Sequence, residues 1–318
     1  MVFINKQVKL SPKDNWRLTI AATVLACSLC SCAVSHKTIV PPAQVLTARD
    51  ATESDLLAQY NKFARSVQTV NVAVEMTPSA GSAYTGVIEQ YHEVEGFILA
   101  MRPADIRVIG QAPVISKNIF DMASDGTTFE IFIPSKNKFV MGPANLQRVA
   151  AKPIENLRPQ HLVEALLPPE IASGAAVLFE EWDEGNTRFY ILTSLASAVD
   201  SSPAGSSAEP AHLEIARKIW FDRADLTLAR LQSYGPGGRL DSDVHFAGWH
   251  DTGGGISYPT DIHINRPHDG YQIGIHIKRL TLNTPITADH FTVKQPPGAE
   301  IVRVADNAGS PAPKGPSQ

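Results

Sequence analysis

Five isoleucines in one short stretch constrain the fold more than any other feature of the chain. Between Asp261 and Lys278, Ile262, Ile264, Ile273, Ile275 and Ile277 fall on one face of two successive strands, and Asp261, His263, Asn265, Gln272 and His276 fall on the other. Period-two alternation in two runs parted by Pro267–Gly270 reads as a hairpin with one buried and one solvated face. The pattern recurs upstream, predicting strands over Ala176–Trp182, Arg188–Leu195, Leu213–Phe221, Leu226–Tyr234, Asp243–Trp249, Thr260–Arg266 and Tyr271–Leu280. Turns at Asp222–Asp225, Gly235–Gly238 and Gly253–Gly255 separate several of them. Consecutive antiparallel strands at this spacing form a barrel or a strongly curved sheet.

The first half adds two helices and more strands. Thr52 is the expected N-cap of a helix, with Asp55 at the third position, and Leu56, Leu57, Tyr60, Phe63, Ala64 and Val67 recur at helical spacing. From Val70 the period becomes two, with Val70, Val72 and Val74 apolar. Strands are expected from Tyr84 to Gly142, broken at Arg102-Pro103, Asp125-Gly126 and Pro134, with Phe129, Ile131 and Ile133 on one face. A short helix is expected over Asn156–Leu167, Pro159 lying in its first turn. Ala196–Pro210 reads as a flexible excursion. The class is mainly β (α+β): one domain over 52–303, no internal repeat, no second core, and a disordered tail over 304–318.

The N-terminus carries an export signal. Lys6, Lys9, Lys13 and Arg17 precede an apolar run from Leu18 that stops at Leu29-Cys30-Ser31-Cys32. An aliphatic residue three positions before a cysteine, with a small residue just before it, is similar to a bacterial lipoprotein signal. That likeness predicts a signal over 1–31, lipidation at Cys32, and a tether over 32–51 containing Pro41-Pro42. Cys27, after Val24-Leu25-Ala26, is the alternative lipidation site, although its apolar run, Leu18 to Thr23, is short. A plain membrane anchor fits less well, since Leu18 to Ser31 is 14 residues and a spanning helix needs about 20. Ala33, where an aspartate often retains such proteins at the inner membrane, favours the outer membrane.

All three cysteines, Cys27, Cys30 and Cys32, lie in this region, so the exported domain is expected to contain no disulfide and no thiolate metal site beyond the anchor itself. Removing four basic residues and Asp14 with the signal takes the chain from 28 Lys+Arg and 32 Asp+Glu to 24 and 31. That negative balance argues against nucleic acid and against a polybasic membrane patch.

Three motifs in order resemble the lipoprotein-localisation (LolA/LolB-like) superfamily. Gly96-Phe97-Ile98-Leu99-Ala100-Met101-Arg102-Pro103 resembles its apolar strand ending in Arg-Pro. Ser124-Asp125-Gly126-Thr127-Thr128-Phe129, closing at Pro134, resembles its Ser-Asp-Gly hairpin. Phe291-Thr292-Val293, followed by Pro296-Pro297-Gly298-Ala299-Glu300-Ile301, resembles its terminal strand and Pro-rich exit. The resemblance implies an unclosed antiparallel half-barrel with a helical lid over an apolar cavity that accepts acyl chains of a lipid or lipoprotein. It implies Arg102 as the residue that holds the lid closed. Cavity lining is then expected from Ile98, Ala100, Phe129, Ile131, Ile133, Ile262, Ile264, Ile273 and Ile275, and the lid face from Leu162, Val163, Leu166 and Leu167. For each of these, plain structural core is the competing assignment.

Catalytic chemistry finds little support. No GxSxG elbow accompanies Ser173 or Ser257, and Gly253-Gly254-Gly255 lacks a following Lys-Ser/Thr. His92-Glu93 lacks the second histidine of HExxH, and His263, His276 and Asp261 read as solvated polar positions rather than a zinc trio. Trp182, Trp220 and Trp249 read as core or cavity lining. The expectation is a lipid-anchored envelope protein without cofactor, metal or enzymatic activity, which sorts or transfers lipid or lipoprotein at the outer membrane. A scaffold or sensor for a protein partner in envelope assembly is the alternative.

Overall fold

The computed structural model describes residues 47–82, 87–113, 117–145, 156–197 and 213–304. The signal, both candidate lipidation cysteines and most of the tether lie outside the described residues, as do residues 305–318 and most of the Ala196–Pro210 excursion.

Helix α1, Glu53–Ser66, opens with a reciprocal capping box: the Thr52 hydroxyl accepts from Asp55 N, and the Asp55 carboxylate accepts from Thr52 N. Its last-turn carbonyls are all taken up by side chains. Phe63 O accepts from Ser66, Ala64 O from Arg102, Arg65 O from Gln68, and Ser66 O from Asn283.

The strands follow as β1 Thr69–Ser82, β2 Val87–Gln90, β3 Val94–Met101, β4 Asp105–Gln111, β5 Asn118–Ser124, β6 Thr128–Ile133 and β7 Lys138–Pro143. Helix α2, Gln160–Leu166, comes next. The second run is β8 Val177–Glu184, β9 Thr187–Ser197, β10 Leu213–Asp222, β11 Leu228–Gly235, β12 Arg239–Ala247, β13 His250–Asp251, β14 Ser257–Tyr258, β15 Asp261–Arg266 and β16 Tyr271–Leu282, with β17 Glu300–Arg303 last.

One fifteen-stranded sheet runs β17-β7-β6-β5-β4-β3-β1-β16-β15-β12-β11-β10-β9-β8, with β2 paired to β1. Among the described residues its two ends do not pair, so the sheet is unclosed. Every pairing in it is antiparallel except β17 with β7. The first run and the second meet where β1 pairs β16, from Val70 opposite Leu282 to Ala80 opposite Tyr271. The Ser-Asp-Gly turn between β5 and β6 is an Asx turn: the Asp125 carboxylate accepts from the amides of Thr127 and Thr128, and Gly126 takes φ +83°.

One face of the sheet and both helices share a single core built from Val70, Val72, Ile98, Val108, Leu192, Ile219, Val244 and the hairpin isoleucines, among others. The isoleucine hairpin is β15–β16, with Ile262 opposite Ile275 and Ile264 opposite Ile273.

Several expectations are corrected. The mid-chain helix begins at Gln160 rather than Asn156, with Pro159 as its N-cap, because a proline disfavours the helical region at the residue before it and stops the helix from extending back through Arg158. The strand expected from Leu226 begins at Leu228, since Leu226 adopts φ +67° at the turn. Phe291-Thr292-Val293 is not a strand: a 3-10 turn ends at Phe291, and the chain then crosses the outer face of β5–β7. There Val293 and Ala299 join Ala123 and Phe139 in a satellite core, which the sequence had not suggested. Trp182 is exposed rather than core.

Candidate functional site

The candidate site is the apolar inner face of the sheet together with the two helices that cover it. Ile98 and Ala100 of β3, Ile262 and Ile264 of β15, and Ile273 and Ile275 of β16 are all buried there. Leu162, Val163, Leu166 and Leu167 of the α2 segment are buried in the same cluster. Ile131 is half-buried and packs against its edge. Phe129 is buried beside it, with the Arg158 guanidinium 5.1 Å above the ring, whereas half-buried Ile133 belongs to neither cluster. Thus seven of the nine sheet positions join or touch one cluster with the helical cover, and β6 diverges toward its C-terminal end.

Arg102, at the end of β3, makes three hydrogen bonds to that cover. Its Nε donates to Val67 O at 2.9 Å, and one terminal nitrogen donates to Ala64 O at 2.7 Å and Pro168 O at 2.9 Å. The first two carbonyls end α1 and the third follows α2, so one guanidinium ties both helices to the sheet. A planar fork with fixed donors suits this arrangement, and a lysine ammonium does not.

Residues the sequence reading passed over add to the same junction. Tyr60 donates to Pro169 O at 2.8 Å, and Asn61 exchanges two bonds with Ile171. Tyr258, fully buried, donates to Leu166 O at 2.7 Å. Burial raises the pKa of both phenols, so each stays a neutral donor. Tyr60 fits the helical apolar spacing, and that fit concealed its polar role.

The opposite end of α2 carries a polar cluster. His161 Nδ1 pairs with the Tyr271 hydroxyl, its ring stacks on Tyr271 with centroids 6.0 Å apart, and Arg266 bonds Asp269 at 2.8 Å. Burial, then the charges of Arg266 and Arg158, hold the His161 pKa well below its ordinary value. Gln160 donates to Ser124, and Glu164 accepts from Ser233 at 2.8 Å. The cover is therefore fastened at its start, middle and end.

His276 pairs with Asp261 at 2.7 Å, while His263 lies opposite His245 on the outer face. Among the described residues no three His, Cys, Asp or Glu side chains are grouped to hold a metal. Among them, too, no helix is long and apolar enough to cross a membrane.

A fifteen-stranded unclosed sheet wrapped on one apolar core and capped by two latched helices defines the class: a helix-covered β half-barrel. Solved structures similar to this chain include a LolA superfamily protein from Nitrosomonas europaea, at 13% identity, TM-score 0.46, over 77% of this chain and 99% of that one. A DUF1329 family protein from Desulfovibrio piger matches at 14% identity, TM-score 0.45, over 75% and 95%. A domain named for outer membrane lipoprotein sorting, from Vibrio parahaemolyticus, matches at 10% identity, TM-score 0.39, over 74% and 94%. No protein-family model and no curated protein matches the sequence.

Proposed function

We propose that this protein receives acyl chains of a lipid or lipoprotein between the inner face of its half-barrel and the α1–α2 cover, for sorting or transfer at the outer membrane. The observation that carries this reading is the three-carbonyl clasp of Arg102, which fastens both helices over an apolar face. Magnitudes favour reversible exchange. Undocking Leu162, Leu166 and Leu167 forfeits about 1.5–3 kcal/mol each. A guest that buries about ten methylenes in their place returns about 8 kcal/mol. The two sums are comparable, so occupancy can follow the supply of cargo.

In this reading Arg102 is the latch, the leucines of α2 are the movable lid, and Cys32, or alternatively Cys27, carries the lipid that holds the protein to the membrane. No catalytic group is required, since burial alone drives uptake. The test is native mass spectrometry with lipid extraction on protein expressed without its signal, from residue 33 onward. A co-purifying phospholipid or lipopeptide, lost in Ile131→Glu with the circular dichroism spectrum unchanged, supports the reading. Folded protein that neither carries lipid nor takes up added lipid refutes it.

A second reading, a scaffold for a protein partner, draws support from the filling of the inner face by the protein's own leucines and isoleucines. It predicts that folded, lipid-free protein retains its full stability and gains none on addition of lipid.

A further inference from the structure

β8 ends the sheet, and among the described residues its strand neighbour is β9 alone. Leu195 N donates to Ala176 O at 2.9 Å, which turns the even-numbered residues of this strand toward β9. Because the ladder with β9 carries no register shift, alternation sends the backbone groups of Val177, Phe179, Glu181 and Asp183 outward. Eight residues at about 3.3 Å each give an edge roughly 26 Å long. Sheet edges are commonly blunted by proline, a bulge or charged side chains; Val177–Glu184 contains no proline, bulge or lysine, and its only charges are acidic. It also shows apolar surface, with Leu178 57%, Phe179 36% and Trp182 51% exposed.

The charge pattern selects the occupant. Glu180, Glu181, Asp183 and Glu184 make half of the strand acidic. A two-fold pairing with a second copy must centre on a residue, because directly opposed residues share the same hydrogen-bonding state; centred on Glu180 or on Glu181, it sets that carboxylate directly opposite its own copy. Centring it on Trp182 opposes Glu181 to Asp183 and Glu180 to Glu184. Like charges placed so are destabilising, and centres nearer Val177 leave about half the edge unpaired. The edge therefore opposes its own copy and suits a basic strand.

Lys218 and Arg223 already hold Glu180 and Glu181, at 3.2 and 2.6 Å, which leaves Glu184 for an incoming charge. A groove of about 590 Å³ at this end of the strand is lined by Glu181, Trp182, Asp183, Arg188 and Arg223. Within it, Arg223 is occupied by Glu181 and by the Tyr190 ring, 4.4 Å away, and Asp183 lies opposite Arg188, so this groove is balanced in charge. On the other face of the strand Trp182 and Glu184 lie side by side, and an indole beside a carboxylate with no ion pair is a seat for a lysine or arginine side chain.

We infer that β8 is a docking edge for an extended, basic segment of a second protein, which adds as a further strand and seats a Lys or Arg against Trp182 and Glu184. Backbone hydrogen bonds supply the binding, and the acidic row supplies the selection. The site is on the opposite end of the sheet from β17 and is independent of the acyl-chain reading.

The test uses the full chain and fluorescent eight-residue peptides in which Lys or Arg alternates with Val or Tyr. Anisotropy is expected to show saturable binding, at least about tenfold weaker for the acidic counterpart, for an N-methylated copy, and for the double variant W182A/E184K. Hydrogen exchange is expected to slow on binding at Phe179, Glu181 and Asp183, and to stay unchanged at Glu180 and Trp182, whose amides already face β9. Absence of binding, binding indifferent to N-methylation, or protection without that alternation overturns the inference. So does a dimer in sedimentation that W182A/E184K dissociates, since the occupant is then a second copy.

Discussion

Replacing Arg102 with methionine keeps the aliphatic stem and removes the three donors to Ala64 O, Val67 O and Pro168 O. Hydrogen bonds from a charged group contribute about 1.5–3 kcal/mol each when buried. Arg102 is half-buried, and water can replace part of what is lost. The three bonds also share one side chain and are not additive, so about 2–3 kcal/mol is expected for the set. Loss of a cation near the C-terminal end of α1 adds about 0.3–1 kcal/mol. If the clasp governs the cover, this cost falls on the α1–α2 opening rather than on the strands. An opening cost lowered by 2 kcal/mol raises the open population about 30-fold, at 1.4 kcal/mol per decade. Native-state hydrogen exchange reads this directly: amides of α1 and α2 should speed up about 30-fold in Arg102→Met, with β1, β15 and β16 nearly unchanged. Arg102→Lys should fall close to Met, because an ammonium cannot span three carbonyls in two segments. Exchange in the helices that stays within about threefold of the parent would refute the latch and return Arg102 to an ordinary strand-end residue.

Three further outcomes follow from the same geometry. His161 is neutral in the folded protein because burial and two arginines lower its pKa, so the unfolded chain binds more protons below pH 6.5 and stability is lost as pH falls from there. His161→Gln should flatten that loss between pH 6.5 and 5 in urea titrations, while the parent loses stability on acidification. Asp243 is raised by burial but lowered further by hydrogen bonds from Arg230 and His245, to about 2. Relative to 3.8 unfolded, this stabilises by about 2 kcal/mol above pH 4, an amount lost as pH falls through about 2. Asp243→Asn should remove that dependence, as measured by thermal melts between pH 5 and 2. Tyr258→Phe deletes the buried donor to Leu166 O and should cost about 1–3 kcal/mol in chemical denaturation.

The parts of the fold legible in the sequence are those where a period is both strict and local. The β15–β16 hairpin could be read residue by residue, because five isoleucines alternate with polar side chains and the turn sits at Pro267–Gly270. The α1 cap was equally clear, since Thr52 and Asp55 satisfy each other within four residues. What escaped depends on contacts distant in sequence. The satellite core joins Val293 to Ala123, and nothing in either segment's pattern announces the other. Trp182 looks like core as a large apolar side chain in a strand that opens Val177-Leu178-Phe179. It is exposed because its strand became the sheet edge, which is a fact of topology rather than of local pattern.

The junction at α2 shows the same limit from the polar side. Leu166, Pro168, Pro169 and Ile171 offer backbone carbonyls or amides, and no side-chain motif in that stretch marks them as partners. Their partners come from three separate places: Arg102 ends β3, Tyr60 and Asn61 lie on α1, and Tyr258 is in β14. Only Arg102 carried a readable signal, through the resemblance of its Arg-Pro motif. Yet these four side chains together decide how firmly the cover sits, because each satisfies a backbone group that undocking would have to rehydrate. The cover is thus held by polar groups that favour one docked position, while the leucines beneath it supply adhesion that has no fixed geometry. Under the proposed acyl-chain reading, weakening the polar set loosens position and leaves adhesion, whereas a guest that displaces the leucines weakens adhesion and leaves the polar contacts to guide reclosure. That reading makes uptake and latching separable, so Arg102→Met and Ile131→Glu should change different observables: the open population of the helices for the first, and lipid occupancy for the second.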